Sequence, residues 1–364
     1  SFYIFHINFI LFRNLSLMLK ATYTKYTLNL TEERGTSRGW LQTKDSWFIK
    51  IWKADRPNEI GIGECSYLPG LNPEKLENYE TKVAQVCDKI NEHQFWLDIG
   101  LNEFPSIHFG LETALLDLEK KGNKILFKTP FSSSQKPIPI NGLIWMGSFE
   151  NMMVQVDEKI ASGFRCIKLK IGAIDFEKEL HILKSIREKS ADIELRVDAN
   201  GAFSPAEALE KLKRLSEYNL HSIEQPIKQG LPATMNQLCK ESPLPIALDE
   251  ELIGKFTREE KAKTLDETNP PYIILKPSLI GGIKGSKQWI ELAEERGINW
   301  WITSALESNI GLNAISQFVA TTENTMFQGL GTGKLYTNNI DSPLQVIGDE
   351  IHYKKELNWD LSGL

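Results

Sequence analysis

A set of charged side chains stands out by type and spacing. Arg165–Gly172 reads RCIKLKIG and sets Lys168 and Lys170 two positions apart in an apolar, β-branched run. In a strand, side chains alternate, so both ammonium groups share one face while Ile167, Leu169 and Ile171 share the other. Two like charges on a buried face lower each other's pKa, and desolvation pushes the same way. A lysine treated in this way can take up a proton near neutral pH. An edge strand with solvated lysines is the plain alternative, and the residues that follow argue against it. Arg196, Asp198 and Asn200 repeat the spacing of two. Glu224, the pair Asp249 and Glu250, Lys276 and Ser304 then each close a further short apolar run. Asp198, Glu224 and Asp249 would repel one another if gathered without a partner. A hard divalent cation resolves this, and an all-oxygen set suits Mg²⁺ or Mn²⁺ better than zinc. Glu250 is the alternative to Asp249, but along a strand it points the other way.

The elements that must position these residues follow a regular rhythm. From Ile138 the strand patterns are PINGLIW, CIKLKI, IELRVDA, HSIEQ, PIALDE, YIILKP, NWWITS and MFQGL. Helical stretches begin near Ser148, Asp175, Ser204, Ala233, Thr257, Ile283 and Ser308. This alternation predicts an α/β fold built on a parallel β/α barrel, a modified TIM barrel, with the polar residues at the carboxyl ends of its strands. No GxGxxG follows a strand, as a doubly wound nucleotide-binding sheet would require. Eight strands divide a barrel by about 45° each, so the second and sixth face one another. Lys170 and Lys276 would then stand on opposite sides of the metal. A carboxylate substrate on that metal would present its α-carbon between them, and the metal would stabilise the enediolate left by proton removal. For Lys276 alone, a snorkelling surface lysine is the alternative, against which Pro277 and Gly281-Gly282 indicate a shaped strand end.

The preceding part of the chain has a different pattern. KATYTKYTLNL, WFIKIWK and EIGIGEC read as three strands, with GTSRGWLQTKDS between the first two as a mobile loop. Residues 73–93, opening near Asn72, and 106–121 read as helices. Residues 18–137 are therefore expected to form an α+β capping domain, with KTPFSSSQKP (128–137) as its linker. Residues 138–334 form the barrel, and the tail 335–364 returns to the cap. Residues 1–17 read as a leader outside the native fold, too short in apolar length to span a bilayer.

A net charge of -6 argues against nucleic acid as partner. Four scattered cysteines, without CxxC spacing, fit a reducing cytoplasm better than a disulfide framework or a zinc site. The expected partner is a small carboxylate, with no membrane, and an oligomer is compatible with the composition.

The order KLK, RVDANGAF, IEQP, ALDE, ILKPSLIGG resembles the enolase superfamily, in its muconate-lactonising-enzyme subgroup. The resemblance covers most of the chain from Met18. It implies Mg²⁺ on Asp198, Glu224 and Asp249, acid/base lysines at Lys170 and Lys276 with Lys168 in support, and a cap closing over the barrel mouth. The absence of any histidine between His221 and His352 argues against the branch with a histidine base on the seventh strand. Within the subgroup, GTSRGWL, INGLIWMG, SALESNIGL and QGLGTG are similar to the o-succinylbenzoate synthase family. That likeness implies a lyase that dehydrates a succinyl cyclohexadiene hydroxy acid in menaquinone biosynthesis. Dipeptide epimerases place acids near the end of the eighth strand, and GLGTG has none. N-succinylamino-acid racemases use the same site and stay open. For substrate contacts the candidates are Arg196, Ser304, Gly329, Gly331 and Trp40. Alternatives are a structural ion pair for Arg196, a helix cap for Ser304 or Ser308, and cap-domain core for Trp40.

Overall fold

The computed structural model describes residues 18–36 and 39–364, so the expected leader, residues 1–17, lies outside the described residues. The chain begins with an antiparallel sheet of β1 (Leu19–Thr36), β2 (Gly39–Lys53) and β3 (Arg56–Ser66) in that order. The GTSRGWLQTKDS segment, expected as a loop, is largely strand. β1 and β2 stay paired out to Thr36 opposite Gly39, with Gly35 opposite Trp40 and a register shift between Asn29 and Arg34. Ladder pairing along a long hairpin outweighs the weak strand preference of Gly and Ser. Helix α1 (Leu76–Asp88) starts later than expected. The Asn72 side chain is committed to a turn, accepting from the Leu68 amide at 2.7 Å. Helix α2 (Pro105–Glu119) lies directly on β3. A Cβ at Gly63 would sit 1.9 Å from the Gly110 carbonyl oxygen, so this close approach needs glycine.

Residues 129–135 turn, with Phe131 and Ser132 buried and 133–136 exposed. The Phe131 ring lies 6.1 Å from that of Tyr353. PINGLIW then splits into β4 (Ile138–Pro139), which leaves the barrel, and β5 (Gly142–Ile144). The barrel continues as α3 (Phe149–Ala161), β6 (Cys166–Lys170), α4 (Phe176–Lys189), β7 (Glu194–Asp198), α5 (Pro205–Ser216), β8 (Ser222–Glu224) and α6 (Pro232–Glu241). It is completed by β9 (Ile246–Leu248), α7 (Arg258–Thr268), β10 (Tyr272–Leu275), α8 (Gly282–Glu294), β11 (Asn299–Ile302) and α9 (Asn309–Val319). Strands β5 to β11 form one parallel sheet in sequence order. The side chains of Ser148, Asp175, Thr257 and Ser308 each accept from a backbone amide of the helix they precede, satisfying donors that the first turn leaves over.

Outward residues such as Ile167, Leu169, Val197, Ile223, Leu248 and Leu275 are fully buried under these helices. Each is worth about 1.5–3 kcal/mol of burial. The eighth strand, expected at MFQGL, forms no ladder. Gln328 bridges to Ile140 and Gly329 to Thr303, both in parallel, and these contacts join the two edges of the sheet. The Gln328 side chain itself accepts from the Ile302 amide at 2.8 Å, supplying a bond that a regular strand would make with its backbone. In the tail, Leu335 accepts from the Thr31 amide at 2.8 Å. A hairpin of β12 (Leu344–Ile347) and β13 (Glu350–Tyr353) pairs with β4.

Candidate active site

Register brings the polar strand ends level. Lys170 lies opposite Asp198, Asp198 opposite Glu224, and Glu224 opposite Ala247, two residues before Asp249. The Lys168 Nζ donates to Glu224 Oε2 at 2.7 Å and to Asp198 Oδ2 at 3.3 Å. The Lys170 Nζ donates to Asp198 Oδ2 at 3.1 Å and to Asn200 Oδ1 at 2.8 Å. Across the mouth, the Lys276 Nζ donates to the Asp249 carboxylate and lies 3.8 Å from Glu224 Oε1. Three ammonium groups and three carboxylates thus interleave across five successive strand ends.

The electrostatics differ from the sequence expectation. Burial works against the charge on Lys168, but Glu224 and Asp198 outweigh it and lift its pKa above the ordinary lysine value. The like charge of Lys276 across the mouth is outvoted by carboxylates from other strands, which spacing along one strand does not reveal. Lys276 is treated likewise: burial opposes its charge, and Asp249, Glu224, Glu250 and Asp198 together raise it. Burial pushes Asp198 up, yet Lys170, Lys168 and Lys276 hold it below the usual carboxylate range. Asp249 goes the other way. Burial lifts it, Glu250 and Glu224 add to the rise, and Lys276 offsets only part.

Among the described residues no three acids converge at coordinating distance, because the lysine heads are seated between them. The donor set nevertheless fits a hard divalent cation. It is all carboxylate, Glu224 Oε1 is buried without a hydrogen-bond partner, and Asp249 is crowded by acidic neighbours. Glu250 accepts from Asn200 Nδ2 at 3.0 Å and so braces the residue that holds Lys170. Asn200 and Gln225 both have positive φ, at 44° and 38°. Gln225 Oε1 accepts from the amides of Asp249 and Glu251 at 3.2 and 3.3 Å, tying the end of β8 to the Asp249 turn. Its signal was present in the sequence as the residue after Glu224 in IEQP.

A cavity of about 640 Å³ opens above these groups. Lys168, Lys170, Asp198 and Lys276 form its floor, and Ser304, Gly329 and Gly331 are on its wall. Glu224 and Asp249 sit behind the lysines, both buried. Trp40 reaches the cavity from the β1–β2 hairpin and is 65% exposed, so it is not cap core. Ser304 Oγ is 2.8 Å from Thr332 Oγ1, while it is Ser308 that caps α9.

Arg196 is not on the cavity wall, which corrects its place among the substrate contacts. It is buried one layer lower, where its Nε donates to Glu194 at 2.8 Å, its Nη1 to the Phe327 carbonyl at 2.9 Å, and its guanidinium lies 4.3 Å from the Trp301 ring. Thr332 and Lys334 also line the cavity. Sequence reasoning missed them because they lie on a loop without periodic pattern.

Residues 151–355 match the family model described as enolase C-terminal domain-like, and residues 18–118 match the MenC N-terminal domain. The chain is similar to an o-succinylbenzoate synthase of Desulfotalea psychrophila, with 45% identity over 366 residues, covering 91% of this chain and 98% of that one. The crystal structure of MenC from the same organism superposes with a TM-score of 0.77 at 43% identity, covering 92% of this chain and 99% of that one. A muconate lactonizing enzyme of Pseudomonas fluorescens, solved with muconolactone, gives a TM-score of 0.81 at 22% identity over 95% of this chain and 96% of its own, a likeness of fold. Together these matches span the cap and the barrel, and the chain belongs to the o-succinylbenzoate synthase family of the enolase superfamily.

Proposed function

We propose that the protein catalyses Mg²⁺-dependent dehydration of 2-succinyl-6-hydroxy-2,4-cyclohexadiene-1-carboxylate to o-succinylbenzoate. The observation that carries this reading is the interleaving of Lys168, Lys170 and Lys276 with Asp198, Glu224 and Asp249 at and just behind one cavity floor. Asp198, Glu224 and Asp249 would hold the ion, which when bound supplies Lewis-acid charge against the negative charge gathering on the substrate carboxylate. Lys170 takes the α-proton, and the C–H electron pair moves into the carboxylate group. The Lys276 ammonium faces that charge from the opposite strand end. Lys170, now protonated, gives its proton to the departing β-hydroxyl, and water leaves as the ring becomes aromatic. Aromatisation makes the step downhill, so the site has chiefly one anion to stabilise. Lys168 holds Asp198 and Glu224 in place. Ser304 and the backbone near Gly329 and Gly331 receive the succinyl carboxylate, and Trp40 covers it.

Residues 18–137 with 335–364 act as the cap and 138–334 as the catalytic barrel. The four cysteines are unpaired, in keeping with a cytoplasmic setting, and among the described residues no helix is long and apolar enough to cross a membrane.

The test is turnover of the diene acid with Mg²⁺ and again with chelator. Metal-dependent product supports the assignment. No product, with Mg²⁺ shown to bind, moves it to racemisation of N-succinylamino acids, read as α-deuterium uptake in heavy water. This second reading is favoured by lysines on both sides of the cavity, as a two-base exchange requires.

A further inference from the structure

A second group of buried charges lies behind the cavity wall, outside the chemistry above. Lys44, Glu64 and Glu307 are all fully or almost fully buried. Glu307 follows β11. One of its oxygens accepts from the Ser278 hydroxyl and the other from the Ala305 amide at 2.7 Å. Ser278 stands two residues beyond Lys276, in the tight turn Pro277–Leu279. That turn is closed by the Leu279 amide donating to the Lys276 carbonyl at 2.8 Å. Ala305 belongs to the stretch 303–306, all of which lines the cavity. A single carboxylate therefore joins the turn that carries Lys276 to a neighbouring wall.

The next residue, Ser308, continues the contact into the cap. Its amide and hydroxyl donate to Glu64 of β3 at 3.0 and 2.6 Å, and the Gly311 amide adds a third bond at 3.0 Å. Glu64 also accepts from Ser46 Oγ at 2.7 Å, and Ser46 in turn accepts from Lys44 at 2.9 Å. Helix α2 of the cap packs on the same Pro277–Leu279 turn. Burying two carboxylates against one ammonium is costly, and apolar residues of similar size would join the domains as well. Carboxylates add direction, because each oxygen fixes where a particular donor must lie.

We propose that Glu307 is a positioning residue for the reaction. Through Ser278 it holds Lys276 in register with the 303–306 wall, and Glu64 makes that register depend on the cap being seated. The inference rests on reading Lys276 as the cation that faces the developing charge.

Steady-state kinetics of Ser278→Ala, Glu307→Gln, Glu307→Ala and Glu64→Gln test it, alongside the unaltered enzyme. Turnover of the diene acid by the unaltered enzyme judges the proposed reaction separately. Should it fail there, the same variants are read by α-deuterium uptake into N-succinylamino acids. Ser278→Ala should lower kcat about ten- to a hundredfold, as slight misplacement of a reacting group does, with KM, Mg²⁺ affinity and melting temperature near those of the unaltered enzyme. Glu307→Gln, whose amide can accept from Ala305 and donate to Ser278, should recover most of what Glu307→Ala loses. Glu64→Gln should show a smaller fall in kcat. Ser278→Ala with unchanged kcat overturns the proposal. So does a Ser278→Ala defect in which KM rises and melting temperature falls along with kcat, or a Glu307→Gln as impaired as Glu307→Ala. Ser278→Ala removes only a hydroxyl, so the test survives even if Glu307→Ala fails to fold.

Discussion

Lys168 and Lys170 share one face of β6 but serve different neighbours. Lys168 is locked between two carboxylates, whereas Lys170 reaches one carboxylate and the amide oxygen of Asn200 at the cavity. Lys170→Ala should therefore abolish dehydration, by about a thousandfold or more for a residue proposed to move two protons, while Mg²⁺ affinity measured by calorimetry changes little. Retained turnover would remove Lys170 as the base. Lys168→Met should instead weaken both turnover and metal affinity, because Asp198 and Glu224 lose the cation that aligns them; an unchanged metal affinity would sink that role. The positions of these residues were legible in the sequence because a strand's period of two declares which side chains share a face. Depth was not. The same period put Arg196 beside Asp198, but one residue pair further down a barrel strand is a different layer, and there Glu194 and Trp301 claim it. Charge balance was also hidden, since the acids that raise Lys168 come from neighbouring strands.

At the scale of elements, the strand and helix order from β5 to β11 could be read because apolar runs and capping residues alternate without interruption. The β1–β2 hairpin could not, because its Gly- and Ser-rich stretch has loop composition and is held straight by its partner strand. Helix α2 carries a contact of another kind. Its Glu112 accepts from the amides of Ile283 and Lys284 at 2.6 and 2.9 Å, capping α8 from the cap domain. Burial lifts Glu112 to about 7 and pushes nearby His108 down to about 4. A carboxyl raised in the fold stabilises it fully below its unfolded value and loses that contribution as pH climbs through about 7. His108, depressed, stabilises above its ordinary 6.5 and loses that as pH falls through about 4. Glu112→Gln removes only the first dependence. Relative to the unaltered protein it should gain stability between about pH 5 and about pH 8, by up to about 3 kcal/mol, in thermal or urea unfolding across that range. A difference that stays flat with pH would show that Glu112 does not titrate there.

For the whole molecule, the cap is fastened to the barrel at separate places, among them Glu64 on α9 and Glu112 on α8. Metal should report on this assembly as well as on chemistry. Mg²⁺ at a hundred times its Kd should stabilise the fold by about 2.7 kcal/mol, seen as a raised melting temperature that chelator reverses. Glu224→Gln should lose most of that shift, and a variant that kept it would remove Glu224 from the ligand set. The return of the tail to the cap was legible in the sequence, but neither the Glu64 nor the Glu112 fastening was. Each joins residues more than a hundred positions apart, and an isolated Glu in a strand or helix carries no sign of its distant partner.

The seam at Gln328 has a consequence for how such a barrel can change over generations. Seven strands hold one another by continuous ladders, while the circle is completed by two bridges and the amide side chains of Asn324 and Gln328. The segment just beyond the bridges, from Gly331 to Lys334, edges the pocket but contributes to no ladder. Insertions or deletions there leave the alignment of the other strand ends intact, and with it the lysines and carboxylates. Changes of substrate range at this edge would therefore leave in place the lysines and carboxylates proposed here for proton transfer.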